Sequence, residues 1–285
     1  MDGALRRGAE RLAEAGVPDA AGQSERLLRH ILRWDRAALL AGGREPLEAG
    51  VEARFLALVG ERARRRPLQH LTGSQAFWRH EFLVTPDVLI PRPETEVLVE
   101  AALELLRGRP SPVIVDVGTG SGCIALSLAA ERADAIVHAV DLSAAALAVA
   151  GENARRLGLG ARVRLHHGDL LDPVAPLGRG VDLVVSNPPY VHPAEVASLA
   201  PEVRDHEPRT ALFAPDAPYG IYRRLVAQAP RVLRQGGHVA VEVGRGMAAA
   251  VSAAFRSAGF ESPEIRRDLA DIERVVIART GHPRS

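Results

Sequence analysis

From about residue 97 onward the chain alternates short apolar runs with helix-length spacers. The runs are Val113-Ile-Val-Asp-Val-Gly118, Ile136-Val-His-Ala-Val-Asp141, Val163-Arg-Leu-His-His-Gly-Asp169, Val181-Asp-Leu-Val-Val-Ser-Asn-Pro-Pro-Tyr190 and His238-Val-Ala-Val-Glu-Val-Gly244. β-branched runs separated by helices predict βαβ units, and these give a mostly parallel sheet covered on both faces. Two further β-prone stretches, around Asp268–Asp271, predict a hairpin that closes the sheet. The expected fold class is therefore α/β. A sheet of this kind binds ligands in the crevice beyond the carboxyl ends of its strands, at the point where strand order reverses. The residues that end each strand are thus the first candidates for function.

The rest of the sequence narrows the chemistry by exclusion. At 285 residues, 47% hydrophobic and 25% charged, the chain has ordinary globular proportions and enough length for a large core. No apolar stretch reaches the roughly 18 residues of a membrane span, and Met1–Glu10 lacks the apolar region of a signal peptide. These features predict a cytoplasmic protein without membrane partners. One cysteine, Cys123, excludes a disulfide framework and a Cys-rich zinc site. All 36 basic residues are arginine, which removes Schiff-base and P-loop lysine chemistry. A net charge of +1 predicts no stable nucleic-acid binding. The 10 histidines form no metal spacing, and the adjacent His166 and His167 point to opposite faces of a predicted strand, so no metal is expected.

Residues 1–73 read as helices. Leu5 and Leu12 lie on a first helix stopped at Gly16-Val17-Pro18, and Leu27, Leu28, Ile31 and Leu32 share one face of a second. Pro46 suits the first turn of a third, with Leu47, Val51, Phe55, Leu58 and Val59 as its stripe. That helix ends in Arg62, Arg64, Arg65 and Arg66. Cations at a helix C-terminus are the preferred reading, and a docking patch for an acidic partner or RNA is the alternative. The β-prone residues 74–90, divided by Pro86-Asp87, predict a hairpin connector. The expected division is a helical substrate-docking domain (1–73), the connector (74–90) and a catalytic domain (91–285).

The first strand runs into Gly118-Thr119-Gly120-Ser121-Gly122, with a helix beginning near Cys123. The glycines allow positive φ and close approach to a ligand. Their G-x-G-x-G spacing lacks the last interval of the dinucleotide fingerprint, so a nicotinamide enzyme is disfavoured and S-adenosyl-L-methionine, which has no pyrophosphate, is favoured. Asp141 ends the second strand, where a carboxylate can accept both hydroxyls of a ribose. Asp169-Leu170 ends the third, as an acceptor and an apolar contact for adenine. Asp at a strand end is common turn chemistry on its own, but three consecutive strand ends make a nucleoside site.

The fourth strand ends in Ser186-Asn187-Pro188-Pro189-Tyr190. Proline holds Asn187 extended, and neither Pro188 nor Pro189 has an N–H. The loop therefore offers acceptors only: the Asn187 side-chain oxygen and the Pro188 carbonyl. A planar NH₂ could donate both hydrogens to that pair, with Tyr190 stacked on it to exclude water. Rate enhancement would come from orientation and proximity for in-line displacement.

Taken together, Leu89-Ile-Pro-Arg-Pro-Glu-Thr-Glu96, Asp116–Gly122, Asp141, Asn187–Tyr190, Glu207-Pro208, Ala211-Leu212 and Tyr222-Arg223 resemble the peptide chain release factor N5-glutamine methyltransferase family. The family lies within the class I S-adenosylmethionine-dependent methyltransferases. The resemblance implies a Rossmann-like methyltransferase sheet with a small all-helical N-terminal domain. It implies methyl transfer to the glutamine of the Gly-Gly-Gln loop of peptide chain release factors. It places Gly118–Gly122 on the methionine moiety, Asp141 on the ribose, Leu170 beside the adenine and Asn187–Tyr190 on the glutamine amide. Arg92–Glu96 would line the cofactor pocket. A monomer is expected. Asn-Pro-Pro-Tyr is shared with adenine-N6 DNA and some RNA methyltransferases, so a nucleic-acid amino-methyltransferase is the enzyme alternative, and a silent release-factor adaptor the non-enzymatic one. Phe213–Gly220 and Asp271 depart from the glycine-rich patterns usual at those places.

Overall fold

The computed structural model describes residues 1–42, 46–213, 218–261 and 263–281. They form two compact units: Met1–Ser74 with Leu199–His206, and Gln75–Ser198 with Glu207–Ser285.

The first unit contains α1 (Asp2–Glu14), α2 (Ala20–Leu32), α3 (Arg36–Gly42), α4 (Ala49–Ala63), α5 (Leu68–Thr72) and a later helix at Pro201–His206. The α1 stop is where Gly16-Val17-Pro18 predicts it: Gly16 has φ +67°, and the Val17 N–H donates back to the Leu12 carbonyl at 2.9 Å. Leu12, Leu27, Leu28, Phe55 and Val59 are fully buried and make the core. Pro46 precedes its helix instead of opening it. Glu48, with ψ 140°, is the cap residue, and its carbonyl accepts the Glu52 N–H at 3.0 Å. The short α3 has no counterpart in the sequence reading, because Leu39 is the residue it buries and one position makes no stripe.

The arginine run after α4 is largely internal to this unit. Arg62 is buried and donates to Gln23 Oε1 at 2.6 Å, to the Arg66 carbonyl at 3.2 Å and to Glu202 Oε1 at 2.7 Å. Arg65 donates to the Gly16 carbonyl at 2.7 Å and to Glu202 Oε2 at 2.8 Å. Arg64 and Arg66 pair with Glu61. Carboxylates and carbonyls of the unit's own chain thus occupy these guanidinium groups.

The second unit begins within a hairpin whose strands run from Ser74 to Phe77 (β1) and from His80 to Leu83 (β2). It turns at Trp78-Arg79, not at Pro86-Asp87. Two carboxylates hold Trp78 at φ +55°: Glu96 accepts its backbone N–H at 2.7 Å and Glu131 its indole N–H at 2.8 Å. Pro86-Asp87 instead sits in a local turn, with the Asp87 N–H on Thr85 Oγ1 at 3.2 Å.

The elements that follow are α6 (Glu96–Leu105), β3 (Val113–Val117), α7 (Cys123–Glu131), β4 (Ile136–Asp141), α8 (Ala144–Arg156), β5 (Val163–His167) and β6 (Val181–Ser186). In chain order α9 is the Pro201–His206 helix of the first unit. Then come α10 (Arg209–Leu212), α11 (Gly220–Val232), β7 (Leu233–Glu242), α12 (Ala248–Ser257), β8 (Glu264–Arg267) and β9 (Glu273–Arg279). Among the described residues the sheet has seven strands in the order β5-β4-β3-β6-β7-β9-β8. The first five are parallel, whereas β9 is antiparallel to both of its neighbours. Asp268–Asp271 makes the expected closing turn, with Asp271 at φ +60° in a place where the related pattern has glycine.

Alternate residues of the strands feed two cores. Ile114, Val137, Leu183 and Val185 pack with α6 and α7 on one face, and Val115, Val140, Val184 and Val241 pack with α11 and α12 on the other. Burial on both faces explains why the strands read as near-continuous apolar runs. From β3 the chain proceeds outward through β4 and β5, then returns to the other side of β3 as β6. The strand order therefore reverses between β3 and β6, which places the crevice at the ends of these two strands.

Candidate active site

Register brings the strand ends together: Val117 pairs with Val140 on one side and with Ser186 on the other, and Asp141 pairs with His167. Beyond these ends lies a cavity of about 730 Å³ in the second unit. Gly118, Thr119, Gly120 and Ser121 line it, as do Asp141, Asp169, Leu170, Asn187, Pro188 and Pro189.

The glycine turn is shaped to leave space. Gly118 and Gly120 have φ +73° and +55°, and a Cβ at either would meet no protein atom within 4 Å. Both face open volume where a ligand would lie against bare backbone. Gly122, at φ +82°, has a different role: a Cβ there would come within 3.0 Å of Leu126 and 3.3 Å of Ala150, so it admits close helix packing. Beneath the turn Asp116 is fully buried, and its Oδ2 accepts the Thr119 hydroxyl at 2.7 Å and the Ala125 N–H at 3.2 Å. Burial raises its pKa from 3.8 to about 7 against those two hydrogen bonds.

Asp141 accepts the Gly120 N–H on Oδ2 and the Ser143 N–H on Oδ1, both at 2.8 Å. One carboxylate therefore ties the β3 turn to the β4 turn, and each oxygen keeps a lone pair for a ligand hydroxyl. Leu170 is buried with φ +48°, and Asp169 is ion-paired with Arg224 at the cavity edge.

Also at the cavity, the Asn187 Nδ2 donates to Thr95 Oγ1 at 3.1 Å. With its NH₂ engaged, Asn187 keeps its carbonyl oxygen as the available acceptor. The Leu89–Glu96 segment is divided: Leu89, Pro91, Arg92 and Thr95 line the cavity, whereas Glu96 turns away to the Trp78 N–H. Arg92 is ion-paired with the buried Glu207, which also accepts the Ile90 N–H at 3.2 Å. Burial pushes the Glu207 pKa up despite Arg92.

Tyr190 stands apart from the other residues of its motif and is not among the cavity-lining side chains. Its ring lies against Gly244, where a Cβ would come within 3.0 Å of Cδ2, and its hydroxyl is 3.5 Å from Glu242 Oε1. Burial raises its pKa to about 12. Cys123 borders the cavity as a thiol, its pKa pushed to about 12 by burial. His138 and His166 stack with their ring nitrogens 2.9 Å apart, and no acidic, His or Cys cluster able to hold a metal occurs among the described residues.

This geometry can be set beside known proteins. Residues 3–73 match the family model described as the PrmC N-terminal domain, and residues 94–202 the methyltransferase small domain. The release factor glutamine methyltransferase of Cereibacter sphaeroides is 44% identical over 276 residues, covering 97% of each chain. That of Geobacter sulfurreducens is 43% identical over 270 residues, covering 95% of this chain and 93% of its own. The chain belongs to the release factor glutamine methyltransferase family. In the fold alone, a methyltransferase from Pyrococcus furiosus is similar at a TM-score of 0.51, with 16% identity over 73% of this chain and 92% of that one.

Within this family member, two features of the site lie outside the sequence reading. Leu142, 66% exposed and cavity-lining, directly follows Asp141, and its position after an acidic strand end was the available signal. Arg209 and Phe213 also line the cavity, with the guanidinium 5.1 Å from the ring centroid. The sequence carries no local signal for that pairing. Of the unusual Phe213–Gly220 loop, residues 214–217 lie outside the described residues.

Proposed function

We propose that the protein transfers a methyl group from S-adenosyl-L-methionine to the side-chain amide nitrogen (N5) of the glutamine in the Gly-Gly-Gln loop of peptide chain release factors. The observation that carries this reading is the cavity wall made by Asn187 and Pro188. It lines the same cavity as the glycine turn, offers carbonyl oxygens and no proline N–H, and belongs to a chain more than 40% identical to release factor glutamine methyltransferases over nearly its whole length.

The residues fit the cofactor. Gly118 and Gly120 leave bare backbone for the methionine moiety, with Thr119, Ser121 and Gly122 completing the turn, and the Asp141 oxygens have lone pairs for a ribose. Leu142 and Leu170 offer apolar surface for the adenine beside Asp169. When bound, S-adenosylmethionine supplies a methyl group on a sulfonium, already activated for displacement. The chain then has to orient the acceptor. Asn187 Oδ1 and the Pro188 carbonyl accept the two hydrogens of the glutamine NH₂. This draws the nitrogen lone pair out of amide conjugation and aims it along the line of displacement; the new C–N bond would replace the methyl–sulfur bond, whose electron pair stays on sulfur, and one N–H proton would pass to solvent. Pro189 keeps the loop free of a competing N–H donor. Tyr190 supports the loop from the Gly244 side.

In this reading residues 1–73 dock the release factor, residues 74–90 connect, and residues 91–285 carry out the transfer. The enzyme acts as a cytoplasmic monomer with the release factor as its protein partner. No helix among the described residues is long and apolar enough to cross a membrane. The reading is tested by incubating purified release factor with the enzyme and S-adenosylmethionine and mapping the product peptides by mass spectrometry. One added methyl group on the Gly-Gly-Gln glutamine supports it, and methylation at another residue or none contradicts it.

A further inference from the structure

Among the described residues three arginines line the cavity: Arg92, Arg209 and Arg224. Two of them are paired within the chain, Arg92 with the buried Glu207 and Arg224 with Asp169. Arg209 is different. It has no ion pair or side-chain hydrogen bond among the described residues, and its guanidinium lies over the Phe213 ring, 5.1 Å from the centroid. A ring face attracts the cation and leaves its N–H donors for other acceptors. Arg209 is exposed as well as cavity-lining, so it stands at the mouth.

The short helix α10 carries Arg209 between two anchors. Just before it, Glu207 accepts the Ile90 N–H at 3.2 Å and pairs with Arg92, both in the Leu89–Glu96 segment. At its end, the Leu212 carbonyl accepts at 3.0 Å the N–H of Val191, which directly follows Asn187–Tyr190. The Phe213 N–H donates to the Arg209 carbonyl at 2.9 Å, which keeps the stacked pair on one turn. Arg209 is thereby held beside the two segments that frame the acceptor side of the cavity.

A glutamine preceded by two glycines brings almost nothing but main chain to that mouth. Glycine has no side chain to read, so recognition falls on its peptide groups, and their carbonyls need donors. Asn187-Pro188-Pro189 offers acceptors and cannot serve them. A guanidinium supplies five N–H groups in a fixed fork, and stacking on a ring orients that fork before the substrate arrives. We infer that Arg209, stacked on Phe213, binds the main-chain carbonyls of the glycine pair as the glutamine enters the cavity. The inference rests on the proposed glutamine reaction. Arg209 touches the substrate, whereas Phe213 is a positioning residue that acts through Arg209.

Steady-state methyl transfer from S-adenosylmethionine, with intact release factor titrated, tests this on the full-length protein. Arg209→Ala is expected to raise KM for release factor about 10- to 100-fold, with kcat and the calorimetric Kd for S-adenosylmethionine within about 3-fold of wild type. Arg209→Lys keeps the charge but not the fork, and its KM is expected to stay at least about 5-fold above wild type. Phe213→Leu keeps apolar bulk but removes the ring face, and is expected to raise KM about 3- to 10-fold. Because Phe213 acts through Arg209, the double variant is expected to lie within about 3-fold of Arg209→Ala alone. An unchanged KM in Arg209→Ala overturns the inference. So does a loss that appears in the cofactor Kd instead, or full recovery in Arg209→Lys, which would reduce Arg209 to a bare charge. Fully additive losses in the double variant overturn the role of Phe213. If the wild-type enzyme leaves release factor unmethylated, the glutamine reading fails and the inference falls with it; if it methylates the factor and Arg209→Ala matches it, the inference alone fails.

Discussion

The Asp141 carboxylate at the end of β4 accepts the backbone N–H of Gly120, in the turn after β3, at 2.8 Å. One side chain thereby joins the two strand ends that frame the crevice, and its other oxygen holds Ser143 at the start of α8. Asp141→Ala removes both anchors and the ribose acceptor together. We expect the Kd for S-adenosylmethionine to rise about 10- to 100-fold, with a loss of about 1–2 kcal/mol in unfolding free energy. Asp141→Asn, which can still accept one N–H, should fall between the two. Calorimetric binding and denaturant unfolding provide the check, and an unaltered Kd in the alanine variant excludes Asp141 from the cofactor site.

Arg92 and Glu207 join the Leu89–Glu96 segment to the start of the α10 segment. Glu207 is buried and Arg92 partly exposed, so the two halves of the pair are not equivalent. Arg92→Ala leaves a buried carboxylate without its cation and should cost about 1–3 kcal/mol. Arg92→Ala with Glu207→Gln should cost less than Arg92→Ala alone, because the orphaned charge is gone. Chemical denaturation of the two variants measures the difference. Equal stabilities would show that the ion pair is not holding the cavity wall.

How far these features were readable depends on their range along the chain. The parallel sheet was legible because each strand is a β-branched run ending in Gly, Asp or Asn-Pro, and both periodicity and turn chemistry are local. The acceptor-only character of Asn187-Pro188-Pro189 was legible for the same reason, since proline acts on its own backbone and its neighbour's. The orientation of Asn187 was not. It involves Thr95, 92 positions earlier, and no spacing encodes such a contact. Tyr190 shows the same limit: its place in the motif suggests stacking on substrate, but its ring packs against Gly244, where the missing Cβ admits it, and it is not among the cavity-lining residues. The hairpin turn was placed at Pro86-Asp87 on turn propensity, whereas Glu96 and Glu131 fix it at Trp78 through contacts that only the fold supplies.

The arginine run offers a direct contrast. Arg62 makes three hydrogen bonds from a buried position, whereas Arg64 is exposed and pairs with Glu61 one turn away. Arg62→Ala should destabilise the protein by about 2–4 kcal/mol, because Gln23 and Glu202 lose their shared donor. Arg64→Ala should change stability by less than about 0.5 kcal/mol. Thermal unfolding of the two variants decides it. Comparable losses would return the run to the role of a plain surface patch.

Asp116 makes stability depend on pH in a direction opposite to that of a salt-bridged carboxylate. Burial raises its pKa from 3.8 to about 7. The folded protein therefore holds this proton more tightly than the unfolded chain. Its contribution is complete below about pH 4 and is lost as pH rises through about 7. Asp116→Asn cannot ionise and should flatten that decline. The unfolding free energy of the variant, relative to wild type, should improve by about 2–4 kcal/mol between pH 5 and pH 8. A constant difference across that range would mean that Asp116 is ionised throughout.

The central claim is that the Asn187–Pro188 wall serves a glutamine amide on a release factor. The most direct measurement is radiolabelled methyl transfer from S-adenosylmethionine, with purified release factor, its Gly-Gly-Gln Gln→Ala variant and nucleic acid offered in parallel. The account predicts label on the intact factor, none on the variant or the nucleic acid, and a large loss of turnover in Asn187→Ala with cofactor affinity little changed. Label on the nucleic acid alone would keep the fold and the cofactor site but contradict the substrate.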